Sequence, residues 1–278
     1  MSSFTDKVAV VTGAGSGIGR ALSIALGRRG ARLAISDVNE DGLTATADQL
    51  QSLGAATHVQ LLDVSDRNAV RAYATTVVEH YGVVHQLYNN AGIAGASATV
   101  QETEYSAYER IIAVNLWGVI NGSKEFLPHL IASGDGHIVN ISSLNGIMGQ
   151  ASMTGYCSTK FAVRGFSESL RAEMLFNKHP VRVSVVHPGG VKTNIATAAL
   201  DEAGEAGDEH IRRARVYNEK LLRLPAAKAA DIIVAGVAAN RPRIIVGNDA
   251  RLVDLMVRAL PRSYPRLSAW WSRRVFNG

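Results

Sequence analysis

Apolar residues follow two alternating rhythms along this chain. Short runs rich in Val, Ile, Leu and Ala predict buried strands near 7–12, 31–37, 57–62, 86–90, 136–142, 181–187 and 243–247. Between them, longer amphipathic stretches predict helices near 17–29, 40–53, 66–81, 104–132, 155–178 and 227–240. Alternation of this kind implies an α/β class, with a doubly wound parallel sheet of about seven strands and helices on both faces. Ligands on such sheets sit at the carboxyl ends of the strands, near the switch in strand order. Gly13, Asp37, Asp63, Asn90, Ser143 and Pro188 all fall at or just past a predicted strand end. No internal repeat, low-complexity tract or linker divides the chain, so residues 1–278 read as one domain.

Composition agrees with a soluble protein: 278 residues, 47% hydrophobic and 19% charged. The longer charge-free stretches near 82–101 and 141–159 are broken by Gly, Asn and Ser, and read as loops and buried elements. Met1 to Asp6 holds no apolar run, so no signal peptide is expected. The single cysteine, Cys157, precludes an intrachain disulfide and fits a reducing, cytoplasmic setting. It reads as a small buried residue. The eight His are scattered, with neither Cys-x-x-Cys nor His-Glu-x-x-His, and no metal site is expected.

Two segments carry candidate chemistry. Tyr156 and Lys160 stand four residues apart, so on a helix they share one face. A free phenol titrates near ~10, and a nearby cation favours the phenolate. Such a pair can pass a proton to and from an alcohol oxygen. A packed Tyr beside a solvated Lys has the same spacing. The second segment is Thr12-Gly13-Ala14-Gly15-Ser16-Gly17-Ile18-Gly19, between a predicted strand and a predicted helix. Glycines let the backbone approach a pyrophosphate, and the helix N-terminus offers it free N–H groups. Strand, loop and helix in that order point to a dinucleotide rather than a plain turn. Asp37 ends the second strand, where a carboxylate can accept from adenosine ribose hydroxyls and would repel the extra phosphate of NADP. A helix N-cap or turn role would also place Asp there.

The glycine spacing Thr-Gly-x-x-x-Gly-x-Gly, with Tyr-x-x-x-Lys about 140 residues later, resembles the short-chain dehydrogenase/reductase family. Further segments match in family order: Asn89-Asn90-Ala91-Gly92, Asn115 in Val114-Asn115-Leu116, Ser143 ending a strand, and Pro188-Gly189-Gly190-Val191-Lys192-Thr193. Together they cover residues 7 to about 195. The resemblance implies a Rossmann-like domain that moves a hydride between NAD(H) and a secondary alcohol or ketone. It implies Asn115, Ser143, Tyr156 and Lys160 as catalytic residues. Tyr156 would exchange the alcohol proton. Ser143 would hold and polarise the substrate oxygen. Lys160 would lower the Tyr156 pKa and bind the nicotinamide ribose, and Asn115 would anchor a water linking Lys160 to solvent. Ser143 is preferred to Ser142 because it lies 13 residues before Tyr156, the family's usual spacing. Adjacent strand residues also point opposite ways.

Cofactor contacts are expected from Gly13, Ser16, Gly17, Ile18, Gly19, Asp37, Asp63, Val64, Asn90, Ala91, Gly92, Tyr156, Lys160, Pro188, Gly189, Val191 and Thr193. Asp63 matches an adenine-contacting Asp, and could equally cap the helix beginning near Ser65. NADP-preferring relatives usually carry a basic residue in the Gly loop or just after the second strand. Ser16 and Val38 stand at those places, and Arg20 reads as helix surface, so NAD is expected over NADP. The alternatives are an NADP-linked carbonyl or 3-oxoacyl reductase and, in another class, a cofactor-binding regulator.

The family's specificity region maps to about 190–225, which holds an acidic stretch at 201–209 and then Arg212, Arg213 and Arg215. Gly204 and Gly207 suit a mobile lid. Leu144, Ile147, Met148 and Met153 stand near Ser143, with Gln150 as the polar exception, so an apolar alcohol or ketone is the expected substrate. By resemblance the protein forms a homodimer or homotetramer through the helices near 104–132 and 155–178. Residues 250–278 form a basic, aromatic C-terminal extension. Eight Arg and two Asp leave 241–278 at +6, more than the whole chain's +5. Leu252, Leu255, Met256 and Ala259 recur at helical spacing, followed by Tyr264, Trp270, Trp271 and Phe276. A subunit contact or pocket wall is expected ahead of an anionic membrane surface. Nucleic acid ranks last, since no matching motif accompanies the charge.

Overall fold

The structure, a computed structural model, describes residues 4–95, 98–193 and 222–276. The first half runs β1 (Val8–Thr12), α1 (Gly17–Gly27), β2 (Arg32–Asp37), α2 (Glu40–Ser52), β3 (Thr57–Leu61), α3 (Arg67–Tyr81) and β4 (Gln86–Asn89). Then come α4 (Tyr105–Ile112), a π turn (Ala113–Trp117), α5 (Gly118–Ala132), β5 (Gly136–Ile141), a 3-10 turn (Leu144–Gly146), α6 (Thr154–Phe176) and β6 (Val181–Pro188). The chain closes with β7 (Val191–Lys192), β8 (Leu224–Pro225), α7 (Ala226–Ala238), β9 (Arg243–Val246), α8 (Asn248–Ala259) and α9 (Tyr264–Phe276).

Seven strands form one sheet in the order β3-β2-β1-β4-β5-β6-β9, every pair parallel. The fold is the expected α/β sheet. Side chains alternate across it and build a core on each face. Ala9 and Val11 of β1 pack with Leu22 and Leu26 of α1, Leu50 of α2 and Ile233 of α7. Val10 faces the other way, toward Tyr73 of α3, Phe126 and Leu130 of α5 and Leu170 of α6. Both faces are covered, which is why β1, β4 and β5 are buried throughout. Each fully buried Leu or Ile contributes about 1.5–3 kcal/mol. Strand order reverses between β1 and β4, and the crevice there is the natural ligand position.

Three departures from the sequence pattern matter. The helix expected over 104–132 is interrupted by the π turn, which carries Asn115 at the sheet's carboxyl edge. After β6, the pair β7–β8 returns the chain to the Pro188 turn. Beyond β9 the spacing of Leu252 and Leu255 marks a real helix, α8, and α9 follows it. The lid expected from Gly204 and Gly207, with Arg212, Arg213 and Arg215, lies outside the described residues. No described helix is long and apolar enough to cross a membrane. The described residues hold no His/Cys/Asp/Glu cluster fit for a metal. Cys157 is buried, and burial pushes its thiol pKa up.

Candidate active site

Thr12 ends β1, and the glycine loop begins one residue later. Gly13 (φ +65°) and Gly17 (φ +51°) turn in the left-handed region that glycine adopts without strain. A Cβ on Gly19 would lie 1.9 Å from the Gly13 carbonyl oxygen, so only glycine lets α1 start this close to the loop. Ser16, the residue before α1, makes no side-chain capping bond, and no acid stands in the first turn. The first N–H groups of α1 are therefore available to an anion.

Neighbouring strand ends hold the loop in place. Thr12 Oγ1 accepts from the Asn90 and Ala91 amides (3.1 Å each), and Asn90 Nδ2 donates to the Thr12 and Gly13 carbonyls (2.9 and 3.1 Å). Asp37 Oδ2 accepts from Gly15 N–H at 2.7 Å, and Oδ1 from Asn39 N–H at 2.9 Å. The α2 cap is Asn39, which accepts from Gly42 N–H, so Asp37 is a turn and loop brace rather than an N-cap. Arg20 is not free helix surface. Its guanidinium donates to the Gly15 and Gly42 carbonyls and to Thr46 Oγ1. On the far side, a Cβ on Gly17 would lie 3.0 Å from Thr193 Cγ2, so the loop and the end of the Pro188 segment face each other.

Asp63 and Val64 follow β3. Asp63 is exposed, and its Oδ1 accepts from the Ser65 amide and hydroxyl (2.8 and 2.7 Å). It does not cap α3; Asp66 does, accepting from Asn68 and Ala69 N–H. Val64 is buried, and its carbonyl accepts from Asn121 Nδ2 of α5 at 3.0 Å.

The catalytic candidates converge beneath this crevice. Lys160 is 3% exposed, and its ammonium donates to the Ile141 carbonyl at 3.1 Å. It lies 5.6 Å from the centre of the Tyr156 ring, as the spacing on α6 requires. No described carboxylate pairs with it, and burial alone lowers its pKa to about 8. A Cβ on Gly92 would lie 3.0 Å from Asn115 Oδ1 and 3.3 Å from Lys160 Nζ, which brings those three residues together. Asn115 is fully buried. Its Oδ1 accepts from Ile93 N–H, and its Nδ2 donates to the Ile93 carbonyl (2.8 Å each) and to Thr159 Oγ1 (3.3 Å).

The two serines after β5 divide as the alternation requires. Ser142 is buried and donates to the Lys160 carbonyl at 2.8 Å. Ser143 is half-buried and accepts from Asn145 N–H at 3.1 Å, leaving its own hydroxyl proton to donate elsewhere. Ile147 and Met148 are buried, so among the apolar residues near Ser143 it is Leu144 and Met153 that keep open surface.

Three contributors carried no sequence signal strong enough to find. His187 Nδ1 donates to the Ser143 carbonyl at 2.9 Å, joining β6 to the turn after β5; burial holds its pKa down. Asp249 of α8 accepts from Gly190 N–H at 2.6 Å. Thr159 donates to the Tyr156 carbonyl at 2.9 Å while accepting from Asn115. Only Thr159 lies inside a motif.

A family model described as short chain dehydrogenase matches residues 7–204. The putative oxidoreductase SadH of Mycobacterium tuberculosis is 51% identical over 269 residues, covering 97% of this chain and 96% of its own. A short chain dehydrogenase/reductase from Burkholderia phymatum, solved in complex with NAD, superposes with a TM-score of 0.87 at 29% identity. That alignment covers 95% of this chain and 97% of the other. A metagenomic short-chain oxidoreductase solved in complex with NADP gives 0.71 at 30% identity, over 88% and 98% of the two chains.

Proposed function

This chain belongs to the short-chain dehydrogenase/reductase family, and on that premise we propose that it moves a hydride between NAD(H) and an apolar secondary alcohol or ketone. One observation carries the reading. Lys160 is a buried ammonium with no described acid beside it, set 5.6 Å from the Tyr156 ring. A fold maintains such a charge where a neighbouring group needs its field.

The residues fit a nicotinamide dinucleotide. The Gly13–Gly19 cradle, the uncapped start of α1 and the facing Thr193 would hold its diphosphate and carboxamide ends. Pro188, Gly189 and Val191 would wall the nicotinamide. Ile18, Asp63, Val64, Asn90, Ala91 and Gly92 would line the remainder. When bound, the nicotinamide takes or gives the hydride. In oxidation Tyr156, as phenolate, accepts the alcohol proton. Lys160 favours that phenolate by charge. Ser143 donates its hydroxyl to the substrate oxygen, most strongly as charge develops there. The Asn115 amide is committed to Ile93 and Thr159, so a relay water would sit on a π-turn carbonyl instead of on that side chain.

Support for NAD comes from Asp37, whose carboxylate sits against the Gly15 amide where a 2′-phosphate would have to come. Val38 is exposed and uncharged, and Arg20 is held by the loop it braces. Leu144 and Met153 favour an apolar substrate. Tyr105, Ile112, Trp117 and Phe161 leave exposed apolar surface along α4, the π turn and α6, which suits a homodimer or homotetramer. The last sheet strand, β9, pairs with β6, which supports reading the chain as one dinucleotide-binding and catalytic unit.

The direct test is NAD⁺ and NADP⁺ reduction across aryl, alkyl and steroid secondary alcohols. Turnover with NAD⁺ and an apolar alcohol is expected. Turnover with NADP⁺ alone would refute the role given to Asp37. NADH binding without any turnover would favour a cofactor-binding regulator.

A further inference from the structure

Helices α8 and α9 leave large apolar side chains in the open. α8 buries Ala250 and Asp254 and half-buries Val253 and Val257, while Leu252 and Leu255 are 69% and 66% exposed. Among the described side chains of α9 only Ser268 is buried, while Leu267, Trp270 and Trp271 stand open. A water-facing amphipathic helix keeps such side chains against its own core. Exposed arginines are interleaved with these side chains: Arg251, Arg258, Arg262, Arg266, Arg273 and Arg274. Arg274 lies 4.9 Å over the Trp270 ring, so charge and aromatic share one face. Both acids of the segment are engaged elsewhere. Asp249 accepts from Gly190 N–H, and Asp254 is held by Arg243 and Arg258. The outer face is apolar and cationic together.

We propose that this face docks on an anionic lipid surface, with α8 and α9 lying in the interface plane. Charge argues against a second copy: a two-fold contact would set arginine against arginine, with no free acid on the face between them. Anionic lipid answers both features, taking Leu and Trp into the headgroup boundary and Arg onto the phosphates. The contact is peripheral, since no described helix is long and apolar enough to cross. Through Asp249 and the Leu144–Gly146 turn, α8 abuts the candidate active site, so docking brings the site's mouth beside the bilayer. The docking itself does not depend on which reaction the site performs.

Full-length protein is sedimented with vesicles of mixed phosphatidylglycerol and phosphatidylcholine, and with phosphatidylcholine alone. Binding to the anionic vesicles is expected, with a blue shift in tryptophan emission and release by salt. Arg262→Glu with Arg266→Glu weakens partitioning roughly 20-fold or more. Arg262→Lys with Arg266→Lys preserves it, because charge and not shape is read. Leu255→Ser with Trp271→Ser also weakens it, and serves as the test should the charge reversal melt early. Absence of binding, equal binding to neutral vesicles, or indifference to these substitutions overturns the proposal. So does a change in subunit number on Leu255→Ser with Trp271→Ser while vesicle binding stays constant, which would show that another copy covers the face.

Discussion

Lys160 brings a charge into the core with no counter-ion among the described residues, and that has a measurable consequence. Its pKa falls from 10.5 in the unfolded chain to about 8 in the folded one. Below pH 8 both states hold the proton, and the fold bears the full burial cost. Between about 8 and 10.5 the unfolded chain retains a proton that the folded chain releases, so stability rises with pH. Lys160→Met is therefore expected to abolish turnover yet raise stability at pH 7 by ~1–3 kcal/mol. Thermal melts of both proteins at pH 7 and pH 10 check this: the gain must shrink at the higher pH. Tyr156→Phe is expected to lower kcat by about 10³-fold or more while NADH affinity, read by fluorescence, stays within about twofold. Gly19→Ala does the opposite. Its Cβ meets the Gly13 backbone carbonyl, so NADH affinity drops by about tenfold or more, and the melting temperature falls as the loop and α1 are forced apart. At this scale the sequence already displayed Tyr156, Lys160 and the glycines, because their chemistry is local in the chain. It did not display the Asp37–Gly15 bond or the Arg20 clamp. Each joins residues brought together only by the sheet, and an Asp or Arg has the same composition whether it braces, caps or faces solvent.

Helix periodicity runs on through 104–132, yet the helix does not. The π turn at Ala113–Trp117 displaces Asn115 toward Ile93, and its amide replaces bonds that the loop after β4 would otherwise lack. Periodicity reports which face is buried and is blind to one extra residue per turn. Asn115→Ala is expected to destabilise the protein by about 1–3 kcal/mol and to unprotect amides 91–95 in hydrogen exchange. Protection unchanged at those amides would show that the loop holds itself. The β5–β6 ladder carries a second element-scale effect. His137 is buried against Ser184, and burial takes its pKa to about 3. From pH 6.5 downward the unfolded chain binds a proton that the folded chain refuses, so stability falls with acid. His137→Gln should flatten the acid limb of a stability–pH curve between about 6.5 and 3.

Across the whole molecule, the parallel sheet and the two-faced core followed from alternation, because strands alternating with helices must bury both faces of the sheet; the strand order itself came only from the structure. The C-terminal helices did not follow so simply. Leu252 and Leu255 keep helical spacing, but a pattern cannot state whether the apolar side meets the same chain or something outside it. Here Leu252 and Leu255 face outward.

Three elements meet at Gly190, just past the Pro188 turn. The Gly190 carbonyl accepts from the Arg223 and Leu224 amides, the Gly190 amide is held by Asp249, and β7 pairs with β8. One residue thus ties together the turn after β6, the strand pair β7–β8 and the start of α8. Asp249→Ala should therefore loosen that junction, and faster hydrogen exchange at the Gly190, Arg223 and Leu224 amides checks it.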